Sequence, residues 1–80
     1  MLSEQAKQWL HNEWGTFNPV RIDSSTAWDI LKVATKDTLA AEVWGEYADY
    51  HRMETDPVKA SKEILTYDDL IGLAYFRSKK

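Results

Sequence analysis

Residues 24–50 run SSTAWDILKVATKDTLAAEVWGEYADY, and the apolar face they present changes sides partway along. Up to Lys36, the residues Ala27, Ile30, Leu31 and Ala34 recur at helical spacing, with Ser25, Asp29, Lys32 and Lys36 on the opposite side. Extended by helical steps, that polar stripe runs into Leu39, Ala40, Val43, Tyr47 and Tyr50. At ~100° per residue the buried face has turned by nearly half a circle. One straight helix cannot keep a single core-facing stripe through that change. A break near Thr35–Thr38 resolves it, with Asp37 or Thr38 starting the next helix. A continuous helix packed on both sides, one of them against a partner subunit, is the alternative. If Asp37 belongs to the first turn of the new helix, proline is acceptable there.

Outward from this stretch, punctuation marks further helices. On the N-terminal side, Leu2, Ala6, Trp9, Leu10 and Trp14 share one stripe, Ser3 suits an N-cap, and Gly15 falls where a left-handed stop belongs. Gly15-Thr16-Phe17-Asn18-Pro19 then interrupts regular structure, and Val20-Arg21-Ile22 is extended at best. On the C-terminal side, Asp56-Pro57 reads as N-cap and first helical residue. Thr66 with Asp69 three residues on forms an Asp variant of the capping box, with Leu65 and Leu70 at the hydrophobic-staple positions. The stripe Tyr67, Leu70, Ile71 and Ala74 follows, and Gly72 weakens that helix while suiting a close helix approach. The expected architecture is an all-α, compact bundle of four to five short helices at about 3–14, 24–34, 37–53, 57–65 and 67–78. Residues 1–80 form a single helical domain.

Eighty residues lie near the lower limit for independent folding. Four Trp, four Tyr and two Phe supply dense packing in compensation. All four tryptophans fall on or beside apolar stripes, so most are expected in the core. With no cysteine, disulfides and thiolate metal sites are excluded, which favours a reducing compartment. The charged N-terminal stretch lacks the apolar run of a signal peptide. The longest apolar stretch, Leu70 to Phe76, is seven residues, against the ~20 that span a bilayer. A cytoplasmic protein with no membrane association is expected.

The chain carries a net charge of −3, divided as −5 over residues 1–56 and +2 over residues 57–80. That balance is unfavourable for neutralising duplex phosphates, and direct DNA binding is not expected. The basic end Arg77-Ser78-Lys79-Lys80 is most simply a helix C-terminus complementing its dipole. His11 and His51 belong to no metal-ligand pattern. His51 and Glu54 stand three apart, which on a helix makes them neighbours, yet a metal site needs further ligands. Ser24 and Ser25 suit capping, and no base or oxyanion donor accompanies them. Gly15, Gly45 and Gly72 are too scattered for a phosphate loop. No catalysis, cofactor or metal is expected.

The third helix offers the most specific surface. Leu39, Val43, Trp44, Tyr47 and Tyr50 form its inner face, while Glu42, Glu46 and Asp49 line a separate flank at i, i+4 and i+7. Like charges so spaced repel by a few tenths of a kcal/mol, and Arg52, three residues after Asp49, is the nearest basic relief. The bland reading of this strip is a solvated face. The functional reading is a partner-binding strip, formed by Glu42, Glu46 and Asp49, for a larger protein or nucleoprotein with a basic surface. The expected function is a non-catalytic interaction module, an adaptor or inhibitor, of a composition associated with phage or mobile-element accessory proteins. Two alternatives stand beside it: a small helix-turn-helix-like DNA-binding regulator, and a small structural subunit of an oligomeric assembly. The sequence leaves the oligomeric state and the partner's identity open.

Overall fold

Every helix whose start is described opens on a side chain that accepts a backbone N–H. The computed structural model describes residues 2–78, with side chains as far as Gly72. Its elements are α1 (Glu4–Trp14), a 3-10 turn (Pro19–Arg21), α2 (Ser24–Ala34), α3 (Thr38–Tyr50), α4 (Pro57–Glu63) and α5 (Tyr67–Ser78), with no strand among the described residues. Ser3 caps α1, Asp23 caps α2, Asp37 caps α3 and Asp56 caps α4. For α5, Thr66 Oγ accepts the Asp69 N–H at 3.2 Å, while the Asp69 carboxylate accepts the N–H groups of Thr66 and Leu65 at 3.1 and 3.0 Å. This is the reciprocal capping box. It satisfies donors that the first helical turn cannot.

The break between α2 and α3 falls at Thr35–Asp37, and the face reversal is its cause. α2 buries Ala27, Ile30, Leu31 and Ala34, while α3 buries Ala40, Val43, Trp44, Tyr47 and Ala48. Both faces now turn inward, and α2 packs along α3. The radius of gyration, 11.5 Å, matches the ~12 Å of a compact chain this long. Asp37 itself corrects one expectation. It is the N-cap, at φ −120°, and its own N–H donates to Val33 O at 2.9 Å. Proline satisfies neither condition.

α3 is the centre of the fold. It packs against α1, α2, the 3-10 turn and α4, and α2 in turn carries α4 and α5. Trp44, fully buried, sends its indole N–H to the carbonyl of Glu54 at 3.0 Å and so fixes the segment beyond the helix. Leu2, Leu10, Met53, Ala60, Ile64 and Leu70 complete the core around it. Of the four tryptophans Trp44 alone is buried outright. Trp9, Trp14 and Trp28 pack against the core from its rim, with Trp9 meeting Trp14 edge-on at 5.2 Å and Lys32 standing 5.7 Å from the Trp28 ring.

Five further expectations are corrected. First, α3 ends at Tyr50 and not near residue 53. Arg52 adopts φ 59°, the Met53 N–H closes onto Ala48 O at 2.7 Å, and the Arg52 N–H onto Asp49 O at 3.2 Å. That is the Schellman pattern with arginine in the left-handed position usually held by glycine. Second, α4 stops at Glu63, because Asp69 has taken the Leu65 N–H. Leu65 is 71% exposed, so the staple partner of the buried Leu70 is not seated. Third, Val20 and Arg21 lie in the 3-10 turn, which Asn18 caps through the Val20 N–H. Fourth, Tyr50 is 66% exposed and leaves the inner face of α3, while Leu39 is half-buried against the core. Fifth, among the described residues a Cβ at Gly72 would meet nothing within 4 Å, so no close approach to them accounts for that glycine. Ala74 and the basic end at 77–80 lie outside the described side chains.

Candidate functional site

The inner side of α3 dictates where its outer side points. With Val43, Trp44 and Tyr47 buried, the helical repeat turns Glu42, Glu46 and Asp49 away from the core. Glu42 and Asp49 are exposed and Glu46 is half-buried. α3 holds the three carboxylates on one side of a single helix.

Three features of this flank were not part of the sequence reading. Gly45, half-buried, lies beside it, three residues after Glu42 and four before Asp49, and a Cβ there would meet nothing within 4 Å among the described residues. Glu42 and Asp49 thus border a side-chain-free notch on the helix surface. Tyr50, four residues after Glu46, stands beside the flank, largely exposed, with its ring T-shaped to that of His51 at 5.1 Å between centroids. Finally, Ser3 Oγ donates to Glu42 Oε2 at 2.7 Å, tying the first carboxylate to the start of α1. The spacing of Gly45 was readable in the sequence. The Ser3–Glu42 contact, 39 residues apart, had no local signal.

Behind the flank the polar groups make contacts within the fold. His51 sits over Tyr47 with ring centroids 4.4 Å apart and caps α3 through its backbone N–H. Because α3 ends before it, His51 and Glu54 do not share a helical face. Burial holds the Tyr47 phenol above its ordinary range, with the Ser24 hydroxyl beside it acting in the opposite sense. Asp23 is held below the usual carboxylate range, first by hydrogen bonds from the Thr26 side chain and backbone. Among the described residues no three His, Asp or Glu side chains are grouped so as to hold a metal ion, and no described helix is long and apolar enough to cross a membrane.

His11 stacks on the half-exposed Phe17 ring at 4.3 Å, a contact that closes the turn after α1. Ser25 bonds to Asp23 at 3.3 Å and belongs to the start of α2, as Ser24 does. The short link Ile64–Thr66 joins α4 to α5, which opens with Asp68 and Asp69. Comparison of the chain with protein-family models, with curated proteins and with solved structures gives no match in any of the three.

Proposed function

We propose that the protein is a non-catalytic interaction module, an adaptor or inhibitor, that receives a basic segment of a larger macromolecule on the outer flank of α3. The observation that carries this reading is the open glycine in an acidic setting. Glycine inside a helix costs about 1 kcal/mol relative to alanine. Among the described residues nothing approaches Gly45 closely enough to require its missing side chain. A partner that comes close to the helix backbone beside Glu42 and Asp49 supplies a reason for it. The carboxylates would speed the encounter, and Tyr50 offers the aromatic anchor typical of interface centres. The cytoplasmic setting expected from the sequence belongs to the same proposal.

The runner-up, a small DNA-binding regulator, draws on the three-residue link between α4 and α5, which is the length of a helix-turn-helix turn. Its weakness is the first turn of α5, where Asp68 and Asp69 bring like charge to phosphate.

Affinity capture from the native host separates these readings. The wild-type chain and a Glu42→Lys, Glu46→Lys double variant serve as baits, and mass spectrometry reads what each retains. The proposal expects proteins that the wild type holds and the variant loses. An identical set on both baits overturns the flank as the binding surface. Recovery of DNA with steeply salt-dependent affinity would favour the regulator instead.

A further inference from the structure

We draw no further inference here: the strongest candidate, the exposed apolar side chains of Val58, Leu65, Tyr67 and Ile71 on and between α4 and α5, carries nothing because no feature of the structure shows what covers them.

Discussion

Ser3 and Glu42 join the first helix to the third through one hydroxyl. Ser3 Oγ accepts the Ala6 N–H at 3.2 Å, capping α1, and donates its own proton to the Glu42 carboxylate at 2.7 Å. A serine hydroxyl has one donor and two acceptor positions, so the two bonds do not compete. The cap thereby orients a carboxylate of the proposed binding flank. Ser3→Ala is expected to cost about 1 kcal/mol through the lost cap. In a double-mutant cycle with Glu42→Ala, a coupling of about 0.5 kcal/mol is expected, the low end for residues in contact. Denaturant titration of the four chains measures it, and strict additivity would show that the bond contributes nothing.

Thr66 and Asp69 close the capping box of α5. Thr66→Ala should cost about 1 kcal/mol, the usual loss for an N-cap. Asp69→Ala should also destabilise, since it frees the N–H groups of Leu65 and Thr66. Chemical denaturation with unchanged m-value is the check. A neutral result for Thr66→Ala would mean that the box does not hold the start of the helix.

The break before α3 predicts opposite outcomes for proline at adjacent positions. Thr38 is the first helical residue, where proline's missing N–H costs nothing, and Asp37 before it is already extended at φ −120°, ψ 119°. Thr38→Pro should leave stability within about 1 kcal/mol. Asp37→Pro loses a cap, a hydrogen bond to Val33 and a permitted φ, and should cost ~3 kcal/mol or more. Thermal melts of the two variants decide. Equal damage at both positions would contradict a separate start for α3.

Asp23 makes the start of α2 sensitive to acid. Its folded-state pKa is lowered, first by hydrogen bonds from Thr26. The stabilisation is therefore complete above the unfolded-state pKa and lost as pH falls through the folded value. Asparagine caps about as well as aspartate and does not titrate. Wild type should lose stability relative to Asp23→Asn as pH falls from above the ordinary carboxylate range through the lowered folded-state value of Asp23. Parallel curves across that window would show that the Asp23 carboxylate gains nothing from its hydrogen bonds.

Much of the architecture was legible because its signals are local. Caps at Ser3, Asp56 and Thr66 follow from residue type and spacing, and the break at Thr35–Asp37 follows from a face reversal that no single helix can bury. The end of α3 was not legible. Arg52 takes a left-handed conformation that its residue type disfavours, held there by Met53 turning back onto Ala48. Tyr50 was misplaced for a related reason. Its helical phase is that of Val43, but it stands in the last turn and emerges 66% exposed. Of the flank, the three carboxylates were legible from their i, i+4, i+7 spacing. The notch at Gly45 needed neighbours to be ruled out, and the Ser3 contact needed the packing of α1 on α3.

The central claim is that the acidic flank and the open glycine of α3 receive a partner, whatever the flank also contributes to the fold. Gly45→Ala should stabilise the isolated protein by about 1 kcal/mol, since helix propensity rises and no atom stands in the way. Reversing Glu42 and Glu46 to Lys removes the Ser3–Glu42 bond and should otherwise leave stability within about 1 kcal/mol, as surface changes usually do. The direct measurement is the association rate with the captured partner at low and high salt, for wild type and the Glu42→Lys, Glu46→Lys variant. The account predicts fast, salt-sensitive association for wild type and slow, salt-insensitive association for the variant. A variant that binds at the wild-type rate, with the wild-type dependence on salt, would contradict it.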